Sequence, residues 1–358
     1  MKKIVLTGGG TAGHVTPNIA LLPALQAAGY EIAYVGSYEG IEKKLIADFN
    51  IPYTGISTGK FRRYLDPKNF SDPFRVMKGF VEARNYLKKY QPDVVFSKGG
   101  FVSVPVVRAA ASLHIPCIIH ESDMTPGLAN KLCIPVAEKV CCNFPETMKN
   151  IPADKAVLTG SPIRAELAQG SKLAGLNMCG FTANKPVIMV IGGSLGAANV
   201  NKAVRDALPK LLEDFQVVHL CGKDKIDNLL LNTPGYKQFE YIKAELKDIF
   251  AMADVVISRA GANAICELLA LKKPNILIPL PAASSRGDQL LNAASFEAQG
   301  YSIVLNEDDI TTNLLVAKVH ELYFNRQNYV DAMSKSHQLD AAKTNTQLLN
   351  AAAAQNNN

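Results

Sequence analysis

Two glycine-rich segments near the start of the chain combine residue types that suit the binding of phosphate or sugar groups. The first is Gly8–His14, with the sequence GGGTAGH. It follows the apolar run Ile4–Leu6, which is typical of a strand buried in a parallel sheet, and it precedes a helical pattern from Asn18 to Ala28. This order predicts free backbone N–H groups at a helix N-terminus, where anions bind. The alternative is a tight turn that binds no ligand.

The second glycine segment is Phe96–Pro105, with the sequence FSKGGFVSVP. It repeats the order of strand, paired glycines and helix. By itself it could be a plain strand-to-helix turn. Together with the first segment, it predicts two backbone loops that face one crevice at the ends of neighbouring strands.

A dinucleotide site is the first alternative for the opening loop, because Gly8, Gly10 and Gly13 match the GxGxxG fingerprint. Such a site also needs an acidic residue at the end of the second strand, for the ribose. The second strand ends in Gly36-Ser37, with no carboxylate at its tip. The sequence therefore argues against a nicotinamide cofactor.

The second half of the chain offers a better nucleotide site. The segment SRAGANA, from Ser258, follows an apolar run and opens a helix that carries Glu267. The helix N-terminus could face a diphosphate while Glu267 accepts hydrogen bonds from ribose hydroxyls. Further along, Asp288, Gln289 and Asn292 are polar residues suited to sugar hydroxyls. The alternatives are a solvated helix face for Glu267 and an ordinary polar residue at a helix start for Gln289.

Composition and charge limit the class of protein. A chain of 358 residues predicts two domains. The seven cysteines form no CxxC pair, which favours reduced thiols in a cytoplasmic protein over disulfides or a zinc site. The N-terminus begins directly with a strand pattern and not with a signal peptide. No apolar run approaches the ~20 residues needed to span a bilayer.

The positive charge is concentrated in one stretch. The chain has a net charge of +6, and Lys60–Lys89 alone holds nine basic and three acidic residues. Aromatic residues are interleaved with the basic ones, which predicts contact with an anionic lipid surface. The alternative is an amphipathic helix with a solvated basic face. Nucleic acid is not favoured, because the chain has no helix-turn-helix, RNA-binding or zinc motif.

Strand and helix patterns alternate along the chain, which predicts parallel, doubly wound sheets. Gly160–Arg164 is predicted to be an interdomain hinge. The predicted domains are 1–160, 161–340, and a final helix with a polar tail at 341–358. The predicted helices in the first domain include Ile41–Phe49 and Phe74–Tyr90. The predicted strands are Ile4–Leu6, Ile32–Val35, Val94–Phe96, Cys117–His120, Lys139–Cys142, Ala156–Leu158, Val187–Ile191, Gln216–Leu220, Phe239–Ile242, Val255–Ser258, Asn275–Leu280 and Ser302–Leu305.

Taken together, the motifs resemble the MurG family of membrane-associated N-acetylglucosaminyltransferases. The motifs are GGGTAGHVTP, SKGGFVSVP, HESDMTPGLANK, GSPIR, GGSLGA and SRAGANAICELLA, with DQLLNA further on. The resemblance runs from Lys3 to about Leu349. It implies an α/β protein of the GT-B fold, in which two Rossmann-like domains with doubly wound parallel sheets face a central cleft. It also implies UDP-GlcNAc as donor, held mainly by the C-terminal domain, and lipid I as acceptor.

The resemblance also implies the site residues. The acceptor would contact Gly99, Gly100 and Asn130. Two departures from the family pattern are visible, since many members have Gln where this chain has Asp288 and Asn where it has Asp123. The residues implied to bind UDP-GlcNAc are Thr11, Gly13, Arg164, Ser194, Gly196, Arg259, Ala264, Glu267, Asp288 and Gln289.

The implied reaction moves GlcNAc to the MurNAc 4-hydroxyl with inversion, as a step of peptidoglycan synthesis and cell wall biogenesis. His14 is the leading candidate for the base, because its unperturbed pKa suits proton transfer near neutral pH. Its alternative is a structural histidine that caps a turn. Asp123 is the second candidate base, and His120 and Glu121 would orient these groups.

No DxD motif is present, so no metal or other cofactor is expected, although Mg²⁺ could enter with the substrates. The predicted location is the cytoplasmic face of the cell membrane, as a peripheral protein, with other cell-wall synthesis proteins as further partners. Three alternatives stay open: a glycolipid glycosyltransferase, a UDP-GlcNAc epimerase, and a non-catalytic subunit that binds a sugar nucleotide.

Overall fold

The computed structural model describes residues 1–59, 68–192, 197–282, 287–336 and 338–355, with backbone only for 68–73. The chain divides into two compact units. Unit 1 comprises residues 1–164 and 340–358, and unit 2 comprises residues 165–339. The chain passes into unit 2 directly after Arg164, the last residue of the predicted hinge, and returns to unit 1 at Asp340.

Unit 1 contains a parallel sheet of seven strands. Their order is β3-β2-β1-β4-β5-β6-β7, so the direction of winding reverses between β1 and β4. In doubly wound sheets, ligands bind outside the carboxyl ends of the strands at such a reversal. The strands are β1 (Lys2–Thr7), β2 (Tyr30–Ser37), β3 (Tyr53–Ile56), β4 (Val94–Ser97), β5 (Cys117–Glu121), β6 (Lys139–Cys142) and β7 (Ala156–Leu158).

Both faces of this sheet are covered. Val5, Val95 and Ile119 belong to one buried cluster, while Ile4 and Ile118 belong to another. Because successive strand residues point to opposite faces, the two clusters are the two sides of the sheet, and this explains the continuous apolar runs. The helices before unit 2 are α1 (Thr16–Ala27), α2 (Ile41–Ile46), α3 (Lys68–Tyr90), α4 (Ser103–Ser112) and α5 (Leu128–Cys133).

Unit 2 repeats the plan with a parallel sheet of six strands, in the order β10-β9-β8-β11-β12-β13. Its reversal point lies between β8 and β11. The strands are β8 (Val187–Ile191), β9 (Gln216–Leu220), β10 (Tyr236–Phe239), β11 (Val255–Ser258), β12 (Asn275–Leu277) and β13 (Ser302–Val304). The helices are α6 (Lys172–Cys179), α7 (Ala198–Asp214), α8 (Leu246–Met252), α9 (Ala262–Ala270), α10 (Asp288–Ala298), α11 (Thr312–Phe324) and α12 (Arg326–Ser334).

The last helix, α13 (Ala341–Gln355), belongs to unit 1. Leu349, Ala352 and Ala353 are buried in the same cluster as Ile4. At its surface, Lys2 Nζ donates to Asn350 Oδ1 at 3.0 Å. The segment after 340 therefore closes one face of the N-terminal sheet and is an integral part of that unit.

The predicted α/β class and the doubly wound parallel sheets are confirmed. Strand β12 ends at Leu277, three residues before its predicted end at Leu280. Three further elements differ from the predictions. Strand β3 was not predicted, and β10 lies three residues before the predicted Phe239–Ile242. Gly235, with φ at +77°, turns the chain directly before β10, and so the strand begins at Tyr236. The helix predicted at Ile41–Phe49 is shorter, because α2 tightens into a 3-10 turn over Ala47–Phe49.

Candidate active site

The first glycine loop follows β1 and contains a short 3-10 turn, Ala12–His14, before α1. Gly10 needs its glycine, since its φ is +84°. The Gly10 N–H donates to Glu42 Oε2 at 3.1 Å, and the Gly9 N–H donates to the Gly99 carbonyl at 3.3 Å. The prediction of free loop amides is therefore wrong for these two groups, because a carboxylate and a neighbouring loop already accept from them.

The two predicted glycine loops pack against each other, backbone to backbone. They follow β1 and β4, which are neighbours in the sheet. Gly100 has φ at +84°, and a Cβ on it would lie 2.2 Å from the Gly9 carbonyl oxygen. Only glycine permits so close an approach. The predicted position of the loops at the ends of neighbouring strands is confirmed, and the crevice that they are predicted to face stays a prediction.

His14 is partly buried at the end of the 3-10 turn. Its Nδ1 lies 3.1 Å from the Gly9 carbonyl oxygen and 3.0 Å from Thr11 Oγ1. A carbonyl oxygen only accepts hydrogen bonds, so this contact puts the proton of the neutral ring on Nδ1 and leaves Nε2 as the basic nitrogen. Burial and the nearby Lys98 charge lower the pKa of His14, and the Gly9 hydrogen bond and Glu42 partly offset this.

The predicted acceptor residues come together beside His14. A Cβ placed on Gly99 would lie 3.5 Å from His14 Cδ2 and 3.6 Å from the side-chain amide of Asn130. Asn130 is buried, and its Nδ2 donates to the His120 carbonyl at 3.1 Å and to Glu121 Oε2 at 2.8 Å. Its Oδ1 is buried without a hydrogen-bond partner. Such an acceptor beside the loops could bind a substrate hydroxyl or amide.

Glu121 fastens the loop that carries Asp123. It accepts hydrogen bonds from the Asp123 N–H at 2.9 Å, from the Gly127 N–H at 3.0 Å and from Asn130. Burial nevertheless raises the pKa of Glu121. Asp123 itself is partly exposed, and Thr147 Oγ1 donates to its carbonyl at 3.2 Å. The backbone of the second candidate base is thus fixed at both ends.

His120 and Lys98 form a buried pair below the loops. Lys98 Nζ lies 2.6 Å from His120 Nδ1 and 2.7 Å from Ser122 Oγ, and His120 Nε2 donates to the Gly160 carbonyl at 2.9 Å. Burial and the Lys98 charge lower the pKa of His120 well below its usual value. Both ring nitrogens of the neutral His120 are thus engaged in hydrogen bonds within the protein. This arrangement suits a residue that positions its neighbours and does not exchange a proton with substrate.

In unit 2, helix α9 carries the predicted nucleoside residues Ala264 and Glu267. They are three residues apart and partly exposed, so they lie on one face of the helix. The N-cap is Gly261, which has no side chain to cap the helix start. The first turn of a helix carries backbone N–H groups that have no partner within the helix, and such groups suit an anion.

Arg259 has partners within unit 2. Its side chain is about 10% exposed and forms an ion pair with Glu307. Its Nη1 donates to the Ile278 carbonyl at 3.0 Å and to the Pro279 carbonyl at 3.2 Å. These contacts join the loops after β11, β12 and β13. Direct nucleoside binding by Arg259 stays a prediction.

The remaining predicted donor residues are distributed as follows. Asp288 and Gln289 open α10, and Gln289 Oε1 accepts from the Leu280 N–H at 3.1 Å, which connects the helix to the segment that follows β12. Arg164 is partly exposed, as is Gly13, and Thr11 is exposed. Ser194 and Gly196 lie outside the described residues, as does the part of Lys60–Lys89 from 60 to 67.

Sequence reasoning missed Glu42 and the role of Lys98. The Glu42 carboxylate is buried and accepts from the Ser37 N–H at 2.9 Å, the Ser37 hydroxyl at 2.5 Å and Gly10. Nothing in the local sequence distinguishes Glu42 from a surface helix residue. Lys98 did carry a signal, since a lysine between a buried strand and two glycines is poorly placed to reach solvent.

Two parallel-sheet units of Rossmann order, each with glycine-containing loops at its reversal point, define a protein of the GT-B glycosyltransferase class. Residues 4–142 match the glycosyltransferase family 28 N-terminal domain, and residues 187–348 match the family 28 C-terminal domain. The chain belongs to glycosyltransferase family 28.

Relatives match almost the whole chain. A protein of Lachnospira eligens is 66% identical over 341 residues, 95% of this chain and 96% of that protein. A protein of Clostridium botulinum is 57% identical over 349 residues, 98% of this chain and 99% of that protein. Both are named UDP-N-acetylglucosamine–N-acetylmuramyl-(pentapeptide) pyrophosphoryl-undecaprenol N-acetylglucosamine transferase.

A solved structure agrees with this assignment. The crystal structure of MurG from Acinetobacter baumannii is 28% identical, with a TM-score of 0.77, and the match covers 98% of this chain and 99% of that chain. The resemblance to the MurG family is confirmed. Within family 28, the chain is an N-acetylglucosamine transferase of the MurG group.

Proposed function

We propose that this chain moves GlcNAc from UDP-GlcNAc to the 4-hydroxyl of MurNAc in lipid I, with inversion to a β-1,4 bond, and so makes lipid II. The observation that carries the proposal is the match to transferases of that printed activity along nearly the whole chain. The proximity of Gly99 to both His14 and Asn130 supports it, because it puts the proposed base and the proposed acceptor-binding groups near one reversal point.

His14 takes the proton of the acceptor hydroxyl. Its Nε2 is the basic nitrogen when Nδ1 donates to Gly9. As the proton moves to Nε2, the acceptor oxygen forms a bond to the anomeric carbon, and the bond from that carbon to the diphosphate oxygen breaks. The electron pair leaves with UDP. Asp123 is the alternative base, since it lies on the loop that Glu121 fastens to Asn130.

The departing diphosphate is stabilised by dipoles and an arginine. The start of α9, after the N-cap Gly261, supplies backbone N–H groups. The resemblance to the MurG family also assigns Arg164, Ser194 and Gly196 to the donor, and it assigns Glu267 to the ribose hydroxyls. Asp288 and Gln289 bind the GlcNAc hydroxyls. No resident metal is assigned, and transfer in EDTA against transfer with added Mg²⁺ measures whether the substrates bring one.

A donor and acceptor screen tests the proposal. UDP-GlcNAc, UDP-GalNAc and UDP-glucose are each offered with a lipid I analogue, and UDP-GlcNAc with diacylglycerol. We expect transfer from UDP-GlcNAc to the lipid I analogue alone, with a β-1,4 product. Transfer to diacylglycerol would favour a glycolipid glycosyltransferase, and release of an epimerised sugar without acceptor would favour the epimerase. Saturable UDP-GlcNAc binding with no turnover would favour a non-catalytic subunit.

The chain binds the cytoplasmic face of the membrane as a peripheral protein, through α3. Within the described ranges, no helix has both the length and the apolar composition to cross a bilayer. On α3, Phe74, Met77 and Val81 are 76%, 69% and 53% exposed. Their spacing puts them on one face, and the exposed Arg75 and Lys78 flank them. An apolar stripe with basic neighbours suits an anionic lipid surface.

Sedimentation with vesicles of phosphatidylglycerol tests this surface. The variant carries Phe74→Ser and Met77→Ser, and its matched control carries Phe324→Ser and Leu173→Ser in unit 2, where both side chains are similarly exposed. We expect the variant with Phe74→Ser and Met77→Ser to lose binding and its control in unit 2 to keep it. A second variant, with Arg75→Glu and Lys78→Glu, should lose binding to anionic vesicles. Equal binding by all variants would contradict the surface.

A further inference from the structure

Two buried charged side chains lie at the first glycine loop, and the reaction described above uses neither. Glu42 is completely buried on α2. A Cβ on Gly9 would lie 2.4 Å from its carboxylate, and a Cβ on Gly40 would lie 2.1 Å from it. The two glycines therefore leave the space that the Glu42 carboxylate occupies, and the Gly10 N–H and the Ser37 N–H donate hydrogen bonds to it.

Lys98 approaches the same loop from the neighbouring strand. It is 1% exposed, and its N–H donates to the Thr7 carbonyl at 2.9 Å. A Cβ on Gly8 would lie 3.3 Å from Lys98 Cβ. Its ammonium group continues to His120 and Ser122 on the loop that carries Asp123. Lys98 thus links the loops after β1, β4 and β5.

We propose that Glu42 and Lys98 are positioning residues for the transfer reaction, which hold the His14 ring from two neighbouring elements and act on it with charges of opposite sign. The inference rests on the proposed function, because it concerns the group assigned to take the acceptor proton. Neither side chain touches substrate. Each acts through the loop that it fastens and through its field at the imidazole.

The groups that face His14 are few among the described residues. Lys98, after β4, lowers the pKa of His14 and Glu42, on α2, raises it. From β2, Tyr34 donates its hydroxyl hydrogen to the Gly8 carbonyl at 2.7 Å, and burial raises the pKa of Tyr34 and keeps it neutral. His120 is neutral for the reasons given above. The charges of Lys98 and Glu42 are therefore the ones that we expect to change the pKa of His14.

Ring titration by NMR of protein labelled at histidine Cε1 tests the proposal. The chain has six histidines, and the signal lost in His14→Asn identifies His14. We expect the pKa of His14 to rise in Lys98→Met and to fall in Glu42→Gln, each by about half a pH unit or more at an effective dielectric constant of about 20. Matched controls are Lys131→Met and Glu39→Gln, at exposed positions in unit 1, which should leave it unchanged.

The expected pKa shifts of His14 have opposite signs in the two variants, and this distinguishes an electrostatic effect from damage to the fold. A loosened loop would expose His14 to water and move its pKa up towards 6.5 in both variants. Shifts of the same sign, or no shift in either variant, would overturn the proposal. Glu42→Gln is the second variant that keeps the test decisive if Lys98→Met fails to fold, since a fall in the pKa cannot come from exposure.

The pH dependence of kcat/KM for the lipid I analogue separates this inference from the proposed function. We expect the acid limb to move with the pKa of His14 measured by NMR, upward in Lys98→Met and downward in Glu42→Gln, with KM for UDP-GlcNAc within about twofold of wild type. One outcome would support the effect of Glu42 and Lys98 on His14 but contradict its role as the base. In that outcome the pKa of His14 measured by NMR rises in Lys98→Met and falls in Glu42→Gln, while the acid limb of the kcat/KM profile stays at the same pH in both variants.

Discussion

The two units share a strand order but differ in how charge is arranged at the reversal point. In unit 1, Glu42 and Lys98 approach the glycine loops from different elements, and each is hydrogen-bonded to neutral groups. In unit 2, Arg259 occupies the loop after β11, and its charge is neutralised directly by Glu307. The same fold thus keeps charges apart in one place and joins them in another.

The difference matches the chemistry that each unit is proposed to perform. A proton-transfer site needs a group that titrates near the working pH, and separated charges can tune such a group. A site for a diphosphate needs fixed dipoles, and an ion pair that fastens three loops keeps the start of α9 in place. The variants below test whether each arrangement does what this comparison requires.

The largest effect is expected at His14. His14→Ala should lower kcat by about 10²- to 10⁴-fold, the usual contribution of a general base, with little change in KM for UDP-GlcNAc. The matched control is His114→Asn, at an exposed position with φ at +60°, which asparagine tolerates. Steady-state kinetics with the lipid I analogue measure both. Normal turnover in His14→Ala would transfer the role of base to Asp123.

The ion pair of unit 2 should be important for stability. Glu307→Gln leaves the buried Arg259 charge without its partner, and breaking such a pair costs about 3–5 kcal/mol. The control is Asp206→Asn, which breaks an exposed pair with Lys202, worth about 0–1 kcal/mol. Hydrogen exchange of peptides from β11 and from β4 measures the two units separately. Equal protection of β11 in both variants would contradict the role assigned to the pair.

The contact between the glycine loops of unit 1 can be disturbed at Gly100. Gly100→Ala forces a Cβ against the Gly9 carbonyl and should shift the loop that bears His14. A displacement of about 1 Å at a catalytic group can cost about 10²-fold in rate, so kcat should fall by that order. Gly180→Ala is the control, since φ there is +68° and, apart from its chain neighbours and its own helix backbone, no atom of the described residues lies within 4 Å of the added Cβ. A loss of kcat in both variants would mean that strain alone is responsible.

The sequence predicted the parts of this comparison that depend on local pattern. Val187–Ile191 and Val255–Ser258 are apolar runs bounded by glycine or polar residues, and both strands match the prediction at each end. The glycine loops were predicted because their position after a strand is visible in one short segment. The sequence also predicted that Glu267 lies on the helix that the segment from Ser258 opens, and α9 carries it.

The parts that the sequence did not predict depend on distant partners. Glu42 is buried because Ser37, Gly9 and Gly40 leave room for its carboxylate, and that space is a property of the fold. Glu307 pairs with Arg259 across 48 residues of chain. Helix α13 is rich in alanine and polar residues, and its pattern does not indicate that it packs in unit 1 beside Ile4.

The smallest effect concerns a feature that both units share, a buried neutral histidine beside a cation. In unit 2 this is His219, whose Nδ1 accepts from the Tyr236 hydroxyl at 2.8 Å and whose Nε2 donates to Asn201 Oδ1 at 2.9 Å. Burial and Arg205 lower the pKa of His219 from 6.5 to about 3. Between about pH 3 and pH 6.5, His219 binds a proton in the unfolded chain but not in the folded unit. The contribution of His219 to the free energy of unfolding therefore has its full value above pH 6.5 and decreases as the pH falls.

The loss should reach about 2 kcal/mol at pH 5, since one proton changes stability by about 1.4 kcal/mol per pH unit. His219→Gln removes this proton, so the stability of unit 2 should change less between pH 7 and pH 5 than in the wild type. Hydrogen exchange of β9 peptides, corrected for intrinsic rates, measures it. Peptides from β5 are the internal control, because His120 remains and should still weaken unit 1 in acid. An unchanged acid response of β9 would show that His219 does not carry the pH dependence of unit 2.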